Sequence, residues 1–140
     1  MSPSDDERDL LEANALFYRA FATSDFAAMD ALWARRSKVA CTHPSGETLR
    51  GRAEVMGGWR SLFGAGGAPP IVCREPEAYP GEAGGFVLCI EAVPGGTLAA
   101  TNVFVREDGA LRMVHHQASP RARQQQRAPS KPPPKGPLLN

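Results

Sequence analysis

Three side chains able to move or hold a proton stand where one pocket could gather them: His43, Tyr18 and Asn102. His43 closes the short β-prone run Val39-Ala40-Cys41-Thr42-His43, and the period-two alternation of a strand puts Val39, Cys41 and His43 on one face, expected to be the inward one. An imidazole with an ordinary pKa of about 6.5 is the natural proton acceptor at neutral pH. A lone histidine before Pro44 can also be a hydrogen-bonded strand end. Tyr18 falls on an inward helical stripe, where its ring is core material and its hydroxyl needs a partner or a ligand. In Thr101-Asn102-Val103-Phe104, Asn102 and Phe104 share a side. The Asn102 amide is either a satisfied core group or a neutral donor for a ligand oxygen, and the sequence leaves both open.

Other reactive residue types carry weaker signals. In the last strand-like run, alternation groups Met113, His115 and Gln117 on one face and Val114, His116 and Ala118 on the other, so one histidine points in and one out. His43, His115 and Cys41 are suitable metal-ligand types, but no pair has the i,i+4 or CxxC spacing that makes such a site specific, and no metal is expected. Cys41, Cys73 and Cys89 are odd in number and spread through apolar runs. They read as free, buried small hydrophobes in a reducing compartment, not as a disulfide framework. No GxGxxG or phosphate-loop pattern follows a strand, so no nucleotide or redox cofactor is expected.

The elements that position these residues follow from periodicity. Leu10, Leu11, Ala13, Asn14, Phe17, Tyr18 and Phe21 recur at spacings of three and four, with Ser4 and three acids ahead of them, which predicts an amphipathic, capped helix over 9–21. Thr23-Ser24-Asp25 prefers caps, and Phe26, Met29, Leu32 and Trp33 continue as a second helix. After the single short strand ending at His43, Val55, Trp59, Leu62 and Phe63 form a third helical stripe, stopped by Gly64-Ala65-Gly66-Gly67. The period then changes to two. Residues 71–79, 85–93, 98–106 and 111–119 read as strands, parted by the turn signals Pro80-Gly81-Glu82, Pro94-Gly95-Gly96 and Glu107-Asp108-Gly109. Helices followed by a meander predict an α+β fold, with amino-terminal helices packed on a curved antiparallel β-sheet.

Composition bounds the partners. The 140 residues are 42% apolar and 22% charged, which suits one globular domain and excludes a chain disordered throughout. The net charge of +1 conceals an asymmetry: residues 121–140 carry five basic groups and no acid, whereas 1–120 carry eleven basic groups against fifteen acids. An acidic body does not attract phosphate backbones, so nucleic acid is not expected to bind it. The domain is placed at 1–120 and a basic, proline-rich tail at 121–140, where Lys131-Pro132-Pro133-Pro134-Lys135 could dock on a protein partner. No run approaches the ~20 apolar residues of a membrane helix, and the acidic start is unlike a signal peptide. A soluble, cytoplasmic protein is expected.

The order of elements, together with Phe17-Tyr18-Arg19-Ala20-Phe21, Ser24-Asp25-Phe26, Thr42-His43-Pro44, Gly51-Arg52, Thr101-Asn102-Val103-Phe104 and Val114-His115-His116-Gln117-Ala118-Ser119-Pro120, resembles the SnoaL-like branch of the nuclear transport factor 2-like superfamily. The resemblance implies a cone-shaped fold with a pocket at its open end. Ketosteroid isomerase shares that fold and is a worked case of a carboxylate base beside a tyrosine and a protonated aspartic acid. By motif, His43-Pro44 falls where its Asp-Pro base stands, Tyr18 where its tyrosine stands, and Asn102 near its second donor. The resemblance thus implies a catalytic triad of His43 as base with Tyr18 and Asn102 as oxyanion donors.

Two functions follow from it. The first is a non-catalytic dimerisation or interaction subunit, a homodimer or part of a larger assembly. It has a pocket for an apolar small molecule, lined by Tyr18, Trp33, His43, Trp59, Phe63, Asn102, Phe104 and His115, and the convex sheet face serves as the contact surface. The second is an isomerase, cyclase or dehydratase using the triad.

Overall fold

The computed structural model describes the backbone of residues 3–122 and the side chains of 5–122. Helix α1 (Pro3–Ala22) buries Leu10, Ala13, Asn14, Phe17 and Tyr18, the stripe its spacing implies. It starts at Pro3, six residues before the expected start at Asp9, and Ser4 stands inside its first turn instead of capping it. Ser24 takes a positive φ of 53° and ends the turn after α1. Asp25 then caps α2 (Phe26–Leu32) by accepting the Ala28 N–H at 3.0 Å.

Two short strands follow. The first, β1 (Ala40–Thr42), pairs antiparallel with β2 (Thr48–Arg50) around Pro44-Ser45-Gly46, so the segment expected to hold one strand forms a hairpin. Gly51, at φ 85°, turns the chain into α3 (Arg52–Gly64). The remaining strands are β3 (Val72–Gly81), β4 (Gly84–Val93), β5 (Gly96–Glu107) and β6 (Ala110–Pro120). They make a consecutive antiparallel meander, and β1 joins its end by pairing parallel with β6, giving the order β2-β1-β6-β5-β4-β3. At the β5–β6 turn Asp108 and Gly109 both have positive φ, 54° and 83°, the backbone of a two-residue hairpin whose twist matches its strands.

Register defines two faces. Paired residues project to the same side, and the rows Val87–Asn102–His116–Cys41 and Cys89–Ala100–Ala118 lie under the helices, every member buried. The helices meet this face through Phe17, Met29, Val55, Met56 and Trp59. Each such fully buried large side chain contributes roughly 1.5–3 kcal/mol.

Two polar clamps hold the segment between α2 and β1. The Arg52 guanidinium donates to the carbonyls of Asp30, Trp33 and Ala34 and to the Asp30 carboxylate at 2.6–3.1 Å, satisfying carbonyls freed where α2 ends. From the far end of β5, Glu107 accepts the backbone N–H groups of Arg35, Arg36 and Ser37 and the Ser37 hydroxyl, all at 2.9–3.0 Å. These bonds, the Arg35 N–H foremost, hold its pKa down at about 2 against an ordinary 4.5. Among the described residues no helix is long and apolar enough to cross a membrane. The expected tail lies, from residue 123 onward, outside the described residues.

A carboxylate whose folded pKa is depressed stabilises the fold above its unfolded pKa and loses that contribution as pH falls through the folded value. Acid unfolding of the wild-type chain should therefore steepen between pH 4.5 and about 2. Glu107→Gln should lower the melting temperature at pH 7 and flatten that segment of the curve. Thermal melts of both proteins across that pH range check this.

Candidate functional site

The interior row carrying Asn102 is polar in a core that is otherwise apolar. Asn102 from β5 is fully buried, and its amide nitrogen donates to Asn14 Oδ1 at 2.8 Å and to Tyr18 Oη at 3.1 Å. Both amide hydrogens are thereby engaged. Tyr18 in turn donates to Glu91 Oε2 at 2.6 Å, and its oxygen lies 3.3 Å from Cys89 Sγ. His116 Nδ1 stands 2.6 Å from Asn102 Oδ1. Since that oxygen can only accept, Nδ1 carries the proton and donates, which leaves Nε2 unprotonated. The result is a directed chain from His116 through Asn102 and Tyr18 to Glu91, tying β6 and β5 to α1 and β4.

Burial controls the charges in this chain. Desolvation raises the Glu91 carboxyl above the ordinary carboxylate range, opposed by the Tyr18 hydrogen bond. The Tyr18 hydroxyl is raised by burial and by the neighbouring Glu91, and it stays protonated. His116 is pushed down to about 3 by desolvation and then by the other two histidines, so its ring is neutral at physiological pH. Its Nε2 lies 3.7 Å from Glu91 Oε2; with a neutral ring and at that distance the contact is not an ion pair.

The expected site residues separate into groups. Tyr18 and Asn102 meet, but each is already bonded to other protein groups. His43 is half-buried and packs its ring on Trp59 with centroids 6.4 Å apart, with no hydrogen bond to Tyr18 or Asn102 among the described residues. Trp59 also contacts Phe17, Phe21, Phe63 and His116, so His43, Trp59 and Phe63 share an aromatic cluster beside the polar chain. Trp33 and Phe104 lie elsewhere: both neighbour Met113, toward the β5–β6 turn. The indole N–H groups of Trp33 and Trp59 are buried without an acceptor among the described residues.

His115 is a correction. Strict alternation puts it on the face of Met113, yet Met113 and His116 are the buried residues. The register slips between Val103 and Phe104, pairing Phe104 with Met113 but Val103 with His115, so Val114 is an extra residue. This bulge inverts the parity. His115 therefore faces the outer side, its Nδ1 2.9 Å from the Ala40 carbonyl, and it does not belong with the inward set.

Sequence reasoning gave no site role to Asn14 or His116 and did not single out Glu91. A signal for Glu91 was present: Val87, Cys89 and Glu91 share the inward face of one strand, which places a carboxylate where alternation demands an apolar group. Among the described residues no group of three His, Cys, Asp or Glu side chains is placed to hold a metal. A groove of about 860 Å³ runs between α1, α2 and the β5–β6 turn, past Ala13, Leu16, Arg19, Leu32, Arg106 and Leu111. None of the eight expected lining residues borders it.

If the polar chain is structural, its removal acts on stability. Asn102→Leu strands the His116 N–H and the Asn14 and Tyr18 oxygens and should cost about 2–4 kcal/mol; Tyr18→Phe should cost about 1–3 kcal/mol. Urea titrations of the two variants measure both losses.

The comparisons with known proteins agree with this architecture. Residues 10–123 match the family of the SnoaL-like domain. A Streptomyces avermitilis protein described as a candidate dehydratase of the nuclear transport factor 2-like family superposes with a TM-score of 0.78 at 26% identity, covering 86% of this chain and 99% of that one. A Thiobacillus denitrificans protein described as a candidate calcium/calmodulin-dependent protein kinase type II association domain superposes with a TM-score of 0.66 at 36% identity, covering 79% of this chain and 93% of that one. Among curated proteins, the F-box protein SKIP8 of Arabidopsis thaliana is 29% identical over 114 residues, which are 80% of this chain and 49% of that protein. The chain thus spans about half the length of that relative. With its helices packed on one mostly antiparallel sheet and the family match over residues 10–123, the chain belongs to the SnoaL-like domain family.

Proposed function

We propose that this chain is a non-catalytic dimerisation or interaction subunit whose working surface is the outer face of the sheet. The observation that carries this reading is the placement of exposed apolar side chains. Of the five large hydrophobics that stand exposed among the described residues, Val72, Tyr79, Phe86 and Leu88 lie on β3 and β4 and Leu16 lies on α1. Register puts the four on the outer face, where Tyr79, Phe86, Val103 and His115 form one row and Glu77, Leu88, Thr101 and Gln117 the next. Tyr79 and Phe86 stack with centroids 4.8 Å apart. A stacked aromatic pair with Leu88 beside it, bordered by Glu77, Thr101, Gln117 and His115, suits an association surface with an apolar centre and a polar rim, and a sheet face pairs most simply with its own copy about a two-fold axis. Likeness to the candidate kinase association domain supports the same reading. The three free cysteines suit a reducing compartment.

The triad reading is less well supported. An oxyanion donor needs a hydrogen aimed at the substrate, whereas the Asn102 and Tyr18 hydrogens point to Asn14, Tyr18 and Glu91, and His43 stands apart on Trp59.

A second reading concerns the apolar-ligand pocket. The aromatic cluster of His43, Trp59 and Phe63 contains a buried indole N–H with no acceptor. This suits an apolar ligand with one carbonyl oxygen.

Sedimentation velocity tests the first reading. The wild-type chain should sediment as a dimer or larger at micromolar concentration. Phe86→Glu combined with Leu88→Lys should yield monomer with a melting free energy within about 0.5 kcal/mol of wild type; a monomeric wild type contradicts the proposal. Calorimetric titration with an apolar ketone tests the second: Trp59→Phe should weaken binding roughly tenfold, and absence of heat in the wild type rules the pocket out.

A further inference from the structure

Cys73 and Cys89 sit together on the inner face of the two strands at the edge of the sheet. The ladder sets Cys73 opposite Glu91, so Cys89, two residues before Glu91, lies on the diagonal across β3 and β4 and projects to the same side. Both side chains therefore point toward the same stretch of α1 from neighbouring strands. Each is also held from α1: the Asn14 amide donates to Cys73 Sγ at 3.5 Å, and the Tyr18 hydroxyl lies 3.3 Å from Cys89 Sγ.

The two differ in a way that assigns roles. Cys73 is half-buried on an edge strand, within reach of a small solute, while Cys89 is buried behind it. The Cys89 thiol and the Asn14 amide both stabilise sulfur charge on Cys73 and lower its pKa, against the opposing effect of burial. The neighbouring Cys73 and burial raise the Cys89 thiol. Cys41 is buried at the other end of the sheet and is pushed up to about 12 by desolvation, so it remains an unreactive thiol.

The geometry points to Cys73 and Cys89 as a reversible thiol pair, in which Cys73 reacts first with a peroxide and Cys89 resolves the product to an intramolecular disulfide. The Cys73 thiolate attacks one peroxide oxygen and the O–O bond breaks. Cys73 becomes a sulfenic acid, and the departing hydroxide leaves as water after taking a proton. The Cys89 sulfur then attacks the sulfenic sulfur and the S–O bond breaks. The Cys89 proton leaves with that hydroxide as a second water. Two thiols are oxidised by two electrons and one peroxide is reduced to two waters. A disulfide needs Cα atoms within about 7 Å, and diagonal neighbours stand about 7–8 Å apart, so β3 must move inward by about 1 Å. Its position allows this: β3 is an edge strand, and its register with β4 breaks immediately after Cys73, between Arg74 and Glu77.

The test uses the full chain, reduced, freed of reductant and exposed to hydrogen peroxide at a few molar equivalents. Intact-mass spectrometry should show a loss of about 2 Da, reversed by dithiothreitol, and peptide mapping should show Cys73 joined to Cys89. Cys89→Ser should instead trap a gain of about 16 Da on Cys73, captured by a sulfenic-acid probe such as dimedone, whereas Cys73→Ser should leave Cys89 unmodified. Brief iodoacetamide labelling of the native wild type, which needs no variant to fold, should modify Cys73 ahead of Cys89 and Cys41. The proposal is overturned if Cys73 gains two or three oxygens without forming the bond, if Cys41 is labelled as fast as Cys73, or if the peroxide-treated chain keeps three free thiols.

Discussion

A buried polar group must find a partner inside the protein, and in this chain that requirement joins the helical layer to the sheet. Asn102, Asn14, Glu91 and His116 are each nearly inaccessible to solvent, as is Tyr18. Leaving any one of their polar atoms unbonded would cost on the order of 1–3 kcal/mol, a sizeable part of a domain stability of about 5–15 kcal/mol. Asn102 solves the problem by engaging both ends of its amide: two hydrogens to α1 residues and an oxygen to His116 on the next strand. Apolar side chains can slide over one another at small cost, whereas this pattern holds only when α1 sits at one depth and one rotation over β5. It therefore specifies the packing that the apolar stripe alone would leave loose.

The same requirement bears on function. A tyrosine and an amide meeting in the interior of this fold invite a catalytic interpretation, but their hydrogens end on protein acceptors, and the nearest histidine in the chain of bonds is His116, neutral and donating to Asn102. The outer face, by contrast, carries exposed apolar side chains on β3 and β4. The domain thus combines an interior polar chain whose members bond one another with a sheet whose outer face carries exposed apolar side chains. This division accords with a superfold that serves many unrelated purposes.

Much of this architecture was legible in residue types. The three helical stripes, the cap at Asp25, the positions of the meander turns and the shared side of Asn102 and Phe104 all follow from periodicity and turn chemistry. Two features did not. The β2 strand has only Thr48, Leu49 and Arg50, too few residues for alternation to declare itself beside turn formers. The Val114 bulge reversed the His115 and His116 faces, and nothing in Met113-Val114-His115-His116 distinguishes a continuous strand from one with an inserted residue, because the bulge is set by pairing with β5. Glu91 is a different case. Its position was readable, but a lone carboxylate in an apolar strand acquires meaning only once Tyr18 is known to lie above it.

The directed chain of hydrogen bonds is the central claim, and the protonation of His116 reports on it most directly. Nitrogen-15 NMR of the imidazole ring, followed from pH 8 down to about pH 4, should show a neutral ring with its proton on Nδ1 throughout, since burial lowers its pKa to about 3. A ring that titrates near its ordinary 6.5, or one that carries its neutral proton on Nε2, would mean that His116 does not donate to Asn102 and that the interior is not assembled as described.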